Sequence, residues 1–279
     1  MPNLRQHANE QRYNLVYWQR RWRHRRLLPA LGDADRALVR ALARDGGVVT
    51  SLAALSVPGT TAMMVAADRL MATLSDRPPV KGGFGVQATP AEIDAYPDLI
   101  RWGLDEQLLA VVGNYIGLPV IYRGLTVRRD LAGGEQVETR LFHRDNEDNR
   151  IVKIIVYLND VDEAGGPYEF IPRSVAPASW HMPLSGSRAN DEAVSRAVPR
   201  SRWVPCSGSR GTAVFTDTCR VFHRGRIAQS TDRQALFFCY NSAMPMSPQW
   251  CQPLFDRARF LANSPDLSPA QRAAISATY

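Results

Sequence analysis

Two short segments 80 residues apart carry the side chains best suited to chemistry: Leu141-Phe142-His143-Arg144-Asp145 and Val221-Phe222-His223-Arg224-Gly225, the second followed ten residues on by Arg233. Two imidazoles and a carboxylate form a donor set that holds Fe(II) by one face and leaves the opposite face open to other ligands. On an extended strand, side chains at i and i+2 point the same way, so His143 and Asp145 can grip one ion while Arg144 points elsewhere. His223 must then arrive from a distant strand, which requires a fold that joins sequence-remote strand ends. The pair alone identifies nothing. With 5 His and 18 Asp in 279 residues, a chance His-x-Asp is expected roughly 0.3 times, from 5 × 18/279.

The surrounding elements narrow the reading. Ile151 to Leu158 is a β-branched apolar run of strand type, followed by a turn through Gly165, Gly166 and Pro167 and then by Tyr168-Glu169-Phe170-Ile171-Pro172-Arg173-Ser174. A second strand, Gly211 to Asp217, leads to His223, and Arg233 opens the buried-type run Gln234 to Tyr240. A charge at the mouth of such a strand is costly without an anionic partner. Within Ile151–Leu158, Val152, Ile154, Val156 and Leu158 form an all-apolar face, expected to be the core side between sheets. Lys153, Ile155 and Tyr157 form the mixed face, expected toward a barrel mouth or pocket.

From about Thr126 to Tyr240 the chain resembles the phytanoyl-CoA dioxygenase-like branch of the Fe(II)/2-oxoglutarate oxygenases. That branch reads His-x-Asp, a strand, a glycine turn, Ile-Pro-Gly-Ser-His, a strand with Asp, a distal His and then an Arg. Here the matching residues are His143, Asp145, Gly165 with Gly166, Ile171-Pro172-Arg173-Ser174-Val175, Asp217, His223 and Arg233. Arg173 and Val175 replace the Gly and His of the turn, outside the metal set. Asp45-Gly46-Gly47-Val48-Val49 is similar to the family's opening of helix, Asp-Gly and strand.

The resemblance implies a mainly β fold with flanking helices, a double-stranded β-helix (jelly roll, cupin-like) with iron at its open end. It also implies His143, Asp145 and His223 as the catalytic Fe(II) ligands, and 2-oxoglutarate as a co-substrate that leaves as succinate and CO2. Arg233 would clamp the far carboxylate of 2-oxoglutarate in a bidentate pair that lysine cannot copy. Lys153 is a second candidate anchor for the co-substrate, against the alternative of a snorkelling surface lysine. Radical halogenases of this superfamily replace the metal carboxylate with a small residue. Asp145 is kept here, which favours hydroxylation of a small organic substrate. Nine arginines flank these strands (Arg128, Arg129, Arg140, Arg144, Arg150, Arg173, Arg220, Arg224 and Arg226), and any two facing the pocket would select a carboxylate- or phosphate-bearing substrate. The alternatives are a non-catalytic jelly-roll binding module and a nucleic-acid demethylase.

Charge bears on the last alternative. Of the net +7, residues 1 to 26 hold +6, from seven Arg against Glu10, so the remaining 253 residues carry 7 − 6 = +1. A neutral body argues against nucleic acid as partner. The tail reads as a helix whose Leu15, Trp18 and Trp22 stripe packs on its own body, or as a dock for an anionic partner such as a carrier protein delivering tethered substrate. No apolar run approaches the 18 or so residues of a membrane span, and a cytoplasmic protein is expected. Cys206, Cys219, Cys239 and Cys251 lack paired spacing and read as reduced residues.

The chain reads as one oxygenase domain over 1–279: a basic segment 1–26, a mainly helical bracing region 27–119, a jelly-roll core 120–241 and C-terminal helices 242–279. Helices are expected over 33–45, with Asp33 as N-cap and Gly46 as stop, over 60–74, from Thr89 through 99–112, and over 253–262 and 269–277. Ala176 to Ser201, which contains His181, is long enough for a lid.

Overall fold

Helices precede strands in the computed structural model, which describes residues 4–79, 83–176 and 187–276, with side chains from residue 11 onward. The N-terminal half contains α1 (Leu4–His24), α2 (Asp33–Asp45), β1 (Gly47–Ser51), α3 (Leu52–Leu55), α4 (Thr60–Ala72), β2 (Gly85–Gln87), α5 (Pro90–Asp94), α6 (Pro97–Gly103) and α7 (Glu106–Ile116). The strands β3 (Val120–Asp130), β4 (Phe142–His143), β5 (Ile151–Tyr157), β6 (Tyr168–Ile171) and β7 (Arg188–Ala189) follow. After α8 (Asp191–Ala197) come β8 (Val204–Pro205), β9 (Thr212–Thr216), β10 (Phe222–Gly225) and β11 (Arg233–Ser242), and then α9 (Arg257–Ala262) and α10 (Pro269–Ser276). Local chemistry sets several boundaries. Thr89 and Glu92 form a capping box at α5, and Gly46 ends α2 in the left-handed region at φ 80°. Gly32, not Asp33, occupies the N-cap of α2, and Asp33 begins the helix.

The strands form two antiparallel sheets, ordered β1-β9-β5-β11-β3-β2 and β7-β4-β10-β6-β8. They face each other as a double-stranded β-helix. The period of two predicted for β5 is present, and the mixed face lines the pocket as expected, with Lys153 and Ile155 in the cavity wall, but the all-apolar face meets helices and not a second sheet. Val152, Ile154, Val156 and Leu158 pack with Leu42, Met63, Leu70, Val112 and other helix residues in one large core. Ile155 and Tyr157 instead meet Tyr168, Phe170 and Val214 between the sheets. The all-apolar face thus meets the helices, because a helical layer offers only apolar partners there. The interior between the sheets takes the mixed face because it must also hold polar groups.

One irregularity aims side chains into that interior. Cys239 opposes Gly124 and Tyr240 opposes Tyr122, so Arg123 is an extra residue in the β3–β11 ladder. The bulge exchanges the faces of β3. Gly124 is at φ 112°, and a Cβ there would lie 2.7 Å from the Phe255 ring, so glycine is required.

A third cluster, including Phe142, Ile171, Val194, Val198, Trp203 and Phe222, coats the outer face of the five-stranded sheet. Val194 and Val198 belong to or follow α8, so this described part of the expected lid packs on the sheet. His181 lies outside the described residues. None of the four cysteines is in a disulfide among the described residues, and three of them are buried. No helix among the described residues is long and apolar enough to cross a membrane.

Candidate active site

His143 and His223 stand directly opposite each other on antiparallel strands β4 and β10, with ring centroids 4.3 Å apart. Strand β4 ends at His143, so Asp145 is reached through a loop and not along the strand, as i, i+2 alternation would have it. A hydrogen bond from the Asp145 backbone N–H to the Thr218 carbonyl, 3.0 Å, holds that loop. His143 Nε2 lies 3.8 Å from Asp145 Oδ1, and one donor atom from each of His143, Asp145 and His223 falls within 4.8 Å of the others.

The hydrogen bonds around the imidazoles suit a metal. Each Nδ1 faces the carbonyl two residues earlier, Leu141 for His143 at 2.8 Å and Val221 for His223 at 3.2 Å. A carbonyl only accepts, so the proton sits on Nδ1 and each Nε2 presents its lone pair to the shared point. Burial drives the His223 pKa down to about 3, with His143 adding to the effect. Burial also lowers that of His143, with Asp145 opposing. Burial would raise the Asp145 carboxyl, but Lys153 and His223 outweigh it and hold the group below the usual carboxylate range. Two neutral imidazoles and one carboxylate are the protonation states that ligation needs.

Comparison with known proteins fits this geometry. No family model matches the sequence, and no curated protein matches it. Among solved structures, EctD from S. alaskensis with 2-oxoglutarate and 5-hydroxyectoine is 22% identical, with a TM-score of 0.55 over 77% of this chain and 79% of that one. HygX from Streptomyces hygroscopicus with nickel and 2-oxoglutarate is 17% identical, with a TM-score of 0.54 over 77% and 88%. The epimerase SnoN with Fe3+, alpha ketoglutarate and nogalamycin RO is 17% identical, with a TM-score of 0.53 over 85% and 90%. The chain has the fold of iron- and 2-oxoglutarate-dependent enzymes.

A cavity of about 290 Å³ runs from the triad between the sheets, past Ile155, Tyr168 and Phe237, to Arg233. Arg233 is buried and opposes Asp130 directly in the β3–β11 ladder. Its Nη2 donates to Asp130 and its Nη1 to the Gly166 carbonyl, while its Nε has no partner. Asp130 also accepts from Arg128 Nε, so the cluster sums to 1 + 1 − 1 = +1. Burial would raise Asp130, yet Arg233 and Arg128 hold it below its ordinary value.

Lys153 lies away from this cluster. It lines the cavity but pairs with Asp145 at 2.6 Å, and it opposes Cys239, six residues along β11 from Arg233. Of the nine flanking arginines, Arg128 and Arg224 line the cavity. Arg140 and Arg150 are buried and donate to backbone carbonyls. Asp217 does not face the metal site. It accepts from the Tyr115 hydroxyl and the Ile151 and Cys219 N–H groups, and burial pushes its pKa up to about 6. Sequence reasoning missed Asp130. The available signal was Arg128-x-Asp130, two charges on one face of a strand, but its meaning depended on a pairing with β11 that no local pattern reveals.

Proposed function

We propose that this protein is an Fe(II)- and 2-oxoglutarate-dependent dioxygenase that hydroxylates a small organic substrate. In this reading His143, Asp145 and His223 hold Fe(II), and Arg233, with Arg128 beside it, binds the distal carboxylate of 2-oxoglutarate. The observation that carries it is the convergence of three correctly protonated donor atoms at one end of a cavity with a net-cationic arginine pair at the other. Bound iron would supply oxidative decarboxylation of 2-oxoglutarate to succinate and CO2, coupled to oxidation of the substrate. The protein's own contributions are separate from that chemistry. The Leu141 and Val221 carbonyls fix the imidazole tautomers, and Lys153 keeps Asp145 anionic. Ile155, Tyr168 and Phe237 wall the cavity and limit water. Asp130 holds Arg233 across the ladder, and Arg128 and Arg233 together leave the pair one positive charge in excess for a carboxylate.

An anaerobic titration of the Fe(II)-loaded protein with 2-oxoglutarate tests the reading, with the visible charge-transfer band as readout, followed by succinate measurement on adding O2. Saturable band formation and slow uncoupled succinate release are expected, both absent in Asp145→Ala. A metal-loaded protein that binds no 2-oxoglutarate would leave the non-catalytic binding module as the better account.

A further inference from the structure

A second cavity, of about 380 Å³, adjoins the first across the loop that carries Asp145. Arg144, Arg173 and Arg220 line it together with Asn146 and Asn149, and Asp145 borders both cavities. The three guanidinium groups come from three separate elements: the loop after β4, the turn after β6 and the turn between β9 and β10. Two of them are fixed by the body of the protein. Arg144 stacks on the Phe222 ring at 4.0 Å. Arg173 lays its methylenes against Gly46, where a Cβ would meet its Cγ and Cδ at 3.1 Å, and donates from Nη1 to the Ala43 carbonyl at 2.7 Å.

Neither Arg173 nor Arg220 forms an ion pair with a carboxylate among the described residues. Asp148 also borders the cavity, but its oxygens are turned to the N–H groups of Ser242, at 2.8 Å, and Asn149, at 2.6 Å. Burial depresses the Arg173 pKa and Arg220 depresses it further. The buried Asp217 carboxylate offsets part of this charge at Arg144 and Arg173, and an anion entering the concave, partly desolvated site between the guanidinium groups would relieve the rest. Planar guanidinium forks match the oxygens of phosphoryl and carboxylate groups, and several converging on one space give directional recognition.

We infer that this second cavity binds an oxyanion group, phosphoryl or carboxylate, of the substrate, so that the substrate is an anionic small molecule anchored beside the metal end. The inference rests on the oxygenase reading for its substrate, but the site itself can be tested without iron. Isothermal titration of the full-length protein with inorganic phosphate, phenyl phosphate and acetate provides the test. Arg220→Gln, the double variant Arg173→Gln with Arg220→Gln, and the parent are compared at constant ionic strength.

Saturable binding by the parent is expected, weakened about tenfold or more in Arg220→Gln and further in the double variant, since each lost charged hydrogen bond counts. Phenyl phosphate binding as well as inorganic phosphate supports a site for the end of a larger molecule. Binding of free phosphate alone would overturn the assignment to substrate. A preference for acetate over phosphate would make the group a carboxylate. Absence of saturable binding in the parent, or equal affinities in parent and variants, would overturn the site. Because Arg173 also braces α2, Arg220→Gln alone decides if the double variant fails to fold. Iron and 2-oxoglutarate titrations of the same proteins report separately on the oxygenase reading.

Discussion

At one end of the main cavity the donor atoms sit on strands of 2 and 4 residues, β4 and β10, and on a loop. At the other end Arg233 and Asp130 face each other across strands of 10 and 11 residues, β11 and β3. The metal end is held by a few individual bonds: two histidine–carbonyl contacts, the Asp145–Thr218 backbone bond and the Lys153–Asp145 pair. Its charges fit an added cation. The arginine end is a set of buried charges on two long paired strands, ion-paired to Asp130 yet carrying a net +1 before any ligand arrives. Substitutions at the first end should therefore remove function at modest cost in stability, whereas substitutions at the second should disturb both.

The largest effect is expected at the metal end. His143→Ala and His223→Ala should each lower Fe(II) affinity by more than about 100-fold and abolish succinate formation, since the facial geometry needs all three donors. The same variants without metal should lose no more than about 2 kcal/mol of stability. Equilibrium binding of Fe(II) and chemical denaturation of the metal-free protein measure the two quantities. Unchanged metal occupancy in either variant would remove that histidine from the ligand set.

At the arginine end, Asp130→Asn leaves a fully buried guanidinium without its carboxylate and should cost about 3–5 kcal/mol. Arg233→Gln should cost less stability, because Arg128 remains beside Asp130, but should weaken 2-oxoglutarate binding by roughly 30-fold or more. Replacing both partners, Asp130→Leu with Arg233→Met, should recover much of the stability without recovering 2-oxoglutarate affinity. If Arg233→Gln binds 2-oxoglutarate within about threefold of the parent, the clamp lies elsewhere and the contrast between the two ends collapses.

The ends also differ in their response to pH. The loop that supports Asp145 is anchored by Asp148, whose oxygens accept from the Ser242 and Asn149 N–H groups and whose pKa burial raises to about 7. A folded-state pKa above the unfolded value gives stability that is full below about pH 4 and lost as pH rises through 7. Asp217, raised to about 6, acts in the same direction. His223, depressed to about 3, acts oppositely, withdrawing stability as pH falls below about 6.5. Comparing Asp148→Asn with the parent isolates one group. The parent's loss of stability between pH 5 and 8 should exceed the variant's by about 2 kcal/mol. Equal pH dependence would show that Asp148 ionises normally in the folded protein.

How much of this could be read from the chain differs between the two ends for a physical reason. His143, Asp145 and His223 were picked out by the order and spacing of the whole motif and its family resemblance, and the structure gathers their donor atoms although Asp145 sits in a loop. The helix over 33–45, the Met-bearing helix near 60–74 and the strand at Ile151 follow from periodicity and caps, which are local. The Asp130–Arg233 pairing and the separation of Lys153 from Arg233 depend on which strands pair and on a bulge at Arg123, and these are set by long-range packing. Which layer the all-apolar face of β5 would meet was likewise hidden, because alternation tells that a face is apolar but not whether a helix or a second sheet covers it.

The smallest expected effect concerns α1, where local reasoning chose the wrong stripe. Leu15, Trp18 and Trp22 were expected to pack inward, yet they are 60%, 41% and 60% exposed, while Tyr17 is fully buried. The Tyr13 hydroxyl fixes the rotation, while Tyr17 buries its ring with its own hydroxyl unpartnered among the described residues. Tyr13 and Tyr17, four residues apart, share one face of the helix. The Tyr13 hydroxyl reaches the Met244 carbonyl and Asp148, and Asn14 accepts from Asn149 at 2.9 Å, so the helix docks on the loop below the metal end. Trp22 instead lies outside with Arg25 over its ring, 4.9 Å from the centroid. Trp22→Ala should therefore change the stability of the metal-free protein by no more than about 0.5 kcal/mol, and Fe(II) binding not at all. Thermal denaturation and metal titration of this variant decide the point. A loss above about 1.5 kcal/mol, which only a packed side chain explains, would mean that the tryptophan stripe and not the tyrosine pair seats the helix against the metal end.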